Sequence, residues 1–376
     1  MSQQVKISGR QFMILTILFT IGSAILVIPS GMAFVAKQDA WIAALVGVGA
    51  GIFLVWMYNT IVILYPRMTL AEIIETLLGK WLGKTISLLF VVTLFLGGPS
   101  AVLYDVGNFL TTQIMPETPA QPVNILFAII VVMGAWLGIE TFARSAELLF
   151  PLFILLYISL VILVAPEVKL ENVEPVLEAG IGPIWPAALS FISIVFLPHI
   201  VLLMIIPAVN RTDKARKAFF SGSMFGGLMM VLIIALTILV LGPDLTARSI
   251  FPSYSLAQRI SIGNFLQRIE AIMAVMWFIS LYFRTTIYMY VIVLVIAQIF
   301  NLKDYRPLIL PLGMILVVMS VIIYPNAPYQ QKWDGTVWVS YILSVGLFLP
   351  LLLLCIHVIR KLWSRKEQNP KGKSHL

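Results

Sequence analysis

Long apolar runs recur along the chain, separated by short clusters of charged residues, proline and glycine. They cover about 11–36, 40–65, 85–112, 121–139, 145–165, 183–207, 218–242, 268–300, 306–325 and 336–359. A helix needs about 20 apolar residues to cross the hydrocarbon core, so the pattern predicts ten membrane spans. Two spans hold an interior charge, Asp105 in the third and Arg284 in the eighth. The first run is charge-free from residue 11 to residue 36. A signal-peptide core is only about 7–15 residues long, so this run reads as a span.

An even number of spans puts both termini on one side. Of the 25 Lys and Arg residues, eighteen fall in the termini and the loops on that side; six lie in the other loops, and Arg284 lies within a span. The positive-inside bias therefore predicts cytoplasmic N- and C-termini. The expected organisation is one transmembrane domain over residues 1–376, ending in a basic cytoplasmic tail, 360–376.

Five spans per half, about 11–165 and 183–359, would give two repeats of opposite orientation. Transporters built this way break the first helix of each half near the bilayer middle. Span 1 carries Gly22-Ser23-Ala24 and Pro29-Ser30-Gly31; span 6 carries Ser190, Ser193 and Leu197-Pro198-His199. The linkers after the second span of each half also match: YPRMTLAEII at 65–74 and FPSYSLAQRI at 251–260. Each contains a capping-box pattern, Thr69-x-x-Glu72 and Ser255-x-x-Gln258, predicting a helix start. In the first, Leu70, Ile73, Ile74, Leu77, Leu78 and Trp81 form an apolar stripe expected to lie flat on the inner membrane surface, with a counterpart outside.

Composition narrows the chemistry. The chain is 60% hydrophobic and 11% charged, against roughly 25% charged residues in soluble domains. The net charge of +8 resides at span ends, which points to topology and excludes nucleic acid as the explanation. Cys355 alone excludes an internal disulfide or a thiolate cluster, and His199, His357 and His375 are too scattered for a metal site. No nucleophile–base pair, phosphate loop or cofactor motif is present, so neither an enzyme nor a cofactor is expected.

The candidate ligand pocket is the break in span 1. Backbone N–H groups at Gly22, Ser23 and Ala24 lose their helical partners there, and the following half-helix adds its positive end, which suits a carboxylate. Carbonyls freed near Val195 and Phe196 in span 6 would suit an ammonium group, and Tyr104 and Trp277 are candidate walls. The alternative is that Gly and Pro are tolerated kinks. A mid-membrane arginine faces protein or water. Arg284 has three readings: an ion pair, with Asp105 the obvious acid; a substrate-carboxylate ligand; or a permanent occupant of a place where other transporters bind sodium. Glu140, Arg144 and Glu147 have helix salt-bridge spacing. Arg268 and Glu270 mark the outer end of span 8, and Gly97-Gly98-Pro99 allows close helix approach.

Three segments in order, GSAILVIPSG in span 1, GIETFARSAELLFP at 138–151 and FPSYSLAQRISIGNFLQRIEAIMAVMW at 251–277, resemble the permease-like B subunits of endospore germinant receptors, within the amino acid–polyamine–organocation superfamily. The resemblance implies a ten-helix fold of the leucine-transporter type with broken helices 1 and 6, and a nutrient pocket between spans 1, 3, 6 and 8. It also implies an A subunit and a C-subunit lipoprotein as partners in the inner spore membrane, with germination triggered by a small nutrient. Two positions depart from the family's pattern: Leu197-Pro198-His199 stands where a Gly-Glu pair is frequent, and Arg284 where lysine is common. The expected function is nutrient sensing. The alternatives are a proton- or cation-coupled amino-acid transporter and a scaffold subunit with a vestigial pocket.

Overall fold

Apolar sequence with no surrounding water leaves the backbone one economical solution, to satisfy its own N–H and C=O groups within helices. The structure, a computed structural model describing residues 6–260 and 269–367 with side chains up to Trp363, is helical throughout apart from an isolated bridge between Ile7 and Val209. Arg268, His375 and the tail beyond residue 367 lie outside the described residues.

Eight helical runs are long and apolar enough to cross a membrane, and Gly9–Ile21 and Arg306–Ile322 are shorter apolar helices. The first long run, Ala24–Leu64, has 41 residues. Straight, it would measure about 60 Å, twice the hydrocarbon core. It turns instead at Lys37–Asp39, where Lys37 takes φ 49°, separating Ala24–Ala36 from Ala40–Leu64. Divided there, the architecture is consistent with ten crossings. Span 1 is Gly9–Ile21 (1a) and Ala24–Ala36 (1b), and span 2 is Ala40–Leu64. Span 3 covers Lys80–Ile114, span 4 Ala120–Leu137 and span 5 Ile139–Val164. Span 6 is Ile184–Val195 (6a) and Leu197–Met204 (6b), and span 7 is Thr212–Leu241. Span 8 is Glu270–Ile299, span 9 Arg306–Ile322 and span 10 Ala327–Glu367.

Spans 1, 2, 6 and 7 pack on one another, while spans 3, 4, 8 and 9 form a second group that span 5 flanks. Spans 6 and 8 are each 78% buried over their most apolar window, against 22% for span 5, so the centre of the molecule is where 6 and 8 pass. Both described chain ends lie at one end of the bundle. Arg360 of span 10 donates to the Thr76 carbonyl of the linker at 3.1 Å, and Lys6 shares a cavity with Arg67 and Thr69.

Both expected breaks are present. Gly22 takes φ 35°, ψ −129°, a conformation that needs a glycine. Span 6 leaves the α-helix at Phe196 and continues as eight residues of 3-10 helix with Pro198 in its first turn. Runs of 3-10 beyond three or four residues are uncommon and mark strained or hinge segments. Span 3 adds π-turns at Leu96–Ser100 and Leu110–Ile114, and span 10 has one at Ser344–Phe348.

Several details differ from the sequence expectation. The Thr69 box forms, with Thr69 N–H donating to Glu72 Oε2 at 2.7 Å and Glu72 N–H to Thr69 Oγ1 at 3.3 Å. Its helix, Leu70–Leu78, turns Leu70, Ile73, Ile74 and Leu77 into the protein, and Gly79 ends it before Trp81, which is 89% exposed. The Ser255 box does not form. Pro252 opens that helix three residues earlier, leaving Ser255 inside it beside Ser249 Oγ at 3.0 Å. This helix, Pro252–Gln258, is largely buried, and Ser253 Oγ donates to the Ile25 carbonyl of span 1b at 2.5 Å. Span 3 starts at Lys80 rather than 85, and span 10 at Ala327 rather than 336. In span 10, Asn326 Oδ1 accepts from Tyr329 N–H and caps the helix, so Lys332 and Asp334 lie on the helix.

Candidate functional site

The break in span 1 faces span 8. Ser23 and Ala24 line a small cavity with Gly97, Asp105, Arg284 and Tyr288, and span 10 closes it with Gln330, Asp334 and Trp338. Its volume is about 40 Å³. That is room for a few waters, whereas small-molecule pockets usually occupy about 300–1,000 Å³. The described conformation is therefore collapsed around the centre, and a molecule of amino-acid size would fit only with the walls apart.

Asp105 is only 7% exposed, and its Oδ1 accepts from Gln330 Nε2 at 2.7 Å, joining spans 3 and 10. Asp334 lies one helical turn beyond Gln330 and faces the same space, giving the cavity two carboxylates. Trp338, a further turn along, lies over Gly97, where a Cβ would come within 1.8 Å of the indole ring. Its Nε1 donates to the Ser193 carbonyl at 3.2 Å.

Arg284 is 3% exposed, and the ion pairs found among the described residues are Arg10–Glu147, Arg144–Glu140 and Arg211–Asp213, none involving it. Its Nη1 donates to the Phe19 carbonyl at 3.3 Å, and its Nη2 to the Ile194 carbonyl at 2.7 Å and the Tyr288 hydroxyl at 3.4 Å. Beside it, Thr20 Oγ1 donates to the Thr16 carbonyl at 2.7 Å. The 2.9 Å contact between Thr20 Oγ1 and His199 Nε2 must then use a hydrogen carried by the imidazole. His199 thereby ties span 6b to the end of span 1a.

At the chain-end side of this layer lies a second cavity of about 780 Å³, bordered by Lys6, Arg67, Glu72, Asp213, Tyr290 and Gln298 among others. At the opposite end, helices Pro243–Arg248 and Pro252–Gln258 pack on span 1b, where Ser30 Oγ donates to the Ala247 carbonyl at 3.2 Å.

The family model for spore germination proteins matches residues 6–331. The chain belongs to the spore germination protein family. Spore germination protein KB of Bacillus subtilis (strain 168) is 32% identical over 375 residues, covering 99% of this chain and 100% of the relative. Spore germination protein A2 of the same organism is 25% identical, covering 91% of this chain and 92% of its own length. Two solved transporters share the fold. Mhp1, a nucleobase-cation-symport-1 family transporter with bromovinylhydantoin bound, superposes with TM-score 0.67 at 13% identity, covering 90% of this chain and 76% of Mhp1. MhsT in complex with L-phenylalanine gives TM-score 0.62 at 14% identity, covering 95% and 99%. The fold is thus of the leucine-transporter type, in a permease-like membrane protein.

For this family member, the predicted site residues divide. Ser23, Ala24, Asp105 and Arg284 line the central cavity, and Gly22 backs the Arg284 side chain. Tyr104 packs edge-on against Tyr324, and Trp277 is buried against Phe109, both away from the cavity lining. Val195 and Phe196 are buried outside the lining too, with Phe196 over Gly51. Carbonyls flanking that break are already engaged: Ile194 by Arg284, and Phe196 by the His199 amide at 3.0 Å. Gln330 and Asp334 precede the span 10 start that hydropathy gives, at 336, because the charges at 332 and 334 interrupt the apolar run, and Trp338 lies inside that span with nothing in the sequence to set it apart. The helix-start signal was Asn326-Ala327-Pro328. Glu147 bonds across to span 1, to Arg10 Nε at 3.4 Å and Gln11 Nε2 at 3.1 Å, leaving Arg144 to Glu140.

Proposed function

We propose that this chain is the nutrient-sensing B subunit of a spore germinant receptor. It binds a small nutrient, most simply an amino acid, in the central cavity and works with an A subunit and a C-subunit lipoprotein in the inner spore membrane, both termini cytoplasmic. The observation that carries this reading is the convergence of the span 1 break, Asp105 and Asp334 on one enclosed space in a germination-family chain. The N-terminus of span 1b suits the nutrient's carboxylate, and the two carboxylates suit its ammonium group. Because the described cavity is smaller than a nutrient, binding selects a more open arrangement of the two helix groups. It shifts that equilibrium by its differential affinity for the two states. The partner subunits read the shift.

Transport is the second reading, favoured by the 780 Å³ cavity on the chain-end side of the molecule and by the transporters that share the fold. One experiment on the purified chain in vesicles separates the two: a panel of labelled amino acids and sugars, measured for binding and for uptake. Saturable binding without accumulation is the expected result. Accumulation above equilibrium would establish transport, and the absence of binding to every member of the panel would overturn the amino-acid pocket.

A further inference from the structure

A helix that stops inside the membrane leaves carbonyls without partners and presents the negative end of its dipole. This chain has two such ends at its centre, those of spans 1a and 6a. In transporters with broken helices, carbonyls and half-helix ends of this kind hold the coupling sodium ion or proton. Here a side chain reaches both. Arg284 extends from span 8 and donates Nη1 to Phe19 O and Nη2 to Ile194 O, one carbonyl from each end. Its guanidinium carbon stands 5.2 Å from the centre of the Phe19 ring and 5.8 Å from that of Tyr288, so aromatic faces supply further negative charge density.

We infer that Arg284 is a tethered cation that stands in for a dissociable coupling ion, holding the two broken helices together independently of sodium. The geometry separates this role from an ion pair and leaves only part of the guanidinium for a nutrient's carboxylate. An ion pair requires a carboxylate within reach, and the guanidinium bonds to carbonyls and a phenol. As a ligand for the nutrient's carboxylate the guanidinium has only Nε and one Nη1 hydrogen left, since Phe19 O, Ile194 O and the Tyr288 hydroxyl take the other three. A guanidinium also stays protonated at any physiological pH, so it neither leaves nor titrates. A coupled pump needs its ion to be released on the far side, and a tethered charge cannot be released. The arrangement therefore fits a centre that needs no dissociable sodium ion between its two broken helices. Gly22 is part of the device, because a Cβ there would fall 2.1 Å from Arg284 Cδ and displace the side chain. The inference concerns ion dependence alone and holds whichever nutrient the cavity takes.

The test follows thermal unfolding of the full chain, purified in nanodiscs, in sodium chloride and in choline chloride of equal ionic strength. The wild type should unfold at the same temperature in both. Arg284→Ala should unfold at lower temperature and recover in a saturable manner when methylguanidinium replaces choline, because the vacated carbonyls accept a free cation. Sodium-specific stabilisation of the wild type, or an alanine variant indifferent to methylguanidinium, overturns the inference. Should Arg284→Ala not fold, the wild type and Arg284→Lys decide. Both unresponsive to sodium upholds the inference, and sodium-specific stabilisation of either contradicts it.

Discussion

Arg284 and Gly22 meet so closely that position 22 has no room for a methyl group. Gly22→Ala adds a side chain to a backbone at positive φ and drives it into Arg284 Cδ. Strain and overpacking together should cost about 2–4 kcal/mol, seen as a large fall in the thermal transition of the purified protein. A transition within a degree or two of wild type would show that the break relaxes freely. Both residues stood out in the sequence, one as a glycine inside an apolar run and the other as a charge where charge is costly. Their partnership did not, since it joins positions 262 residues apart through backbone carbonyls that carry no sequence signal. Asp334 was hidden for the opposite reason. Next to Lys332 and Gly335 it resembles a loop residue, and only the packing of span 10 against span 6, with Gln330 bonded to Asp105 of span 3, brings it to the cavity.

At the scale of elements, two linkers alike in sequence fold differently. Thr69 caps its helix and also donates to Gln298 Oε1 of span 8 at 3.1 Å, whereas Ser255 lies within a helix that Pro252 begins. Thr69→Ala should therefore destabilise by about 0.5–2 kcal/mol, and Ser255→Ala by less than about 0.5 kcal/mol, in matched denaturation of the two variants. Equal losses would contradict the assigned helix starts. Hydropathy located the spans because membrane helices announce themselves by uninterrupted apolar length. It misplaced the starts of spans 3 and 10 because their first turns carry charges that the protein accommodates. Caps and prolines at Gly79, Asn326 and Pro328, rather than charge, mark where these helices begin.

For the whole molecule, two helix groups meet at a cavity too small for a nutrient, with helices packed over span 1b toward one end and a separate, larger cavity toward the other. An inverted repeat was legible from the paired breaks and the order of spans, and the leucine-transporter type from the resemblance to germinant-receptor B subunits. Which faces converge at the centre was not, because almost every face is apolar. The germination-family assignment and the fold are compatible with either sensing or transport, so the central claim rests on the cavity coupling nutrient to response. Spores carrying Asp105→Asn, which keeps the side chain's size but removes its charge, give the most direct test through their germination dose–response. With the protein present at wild-type level, the account predicts a half-maximal nutrient concentration raised about tenfold or more, the equivalent of about 1.4 kcal/mol of lost affinity. An unchanged dose–response would contradict it.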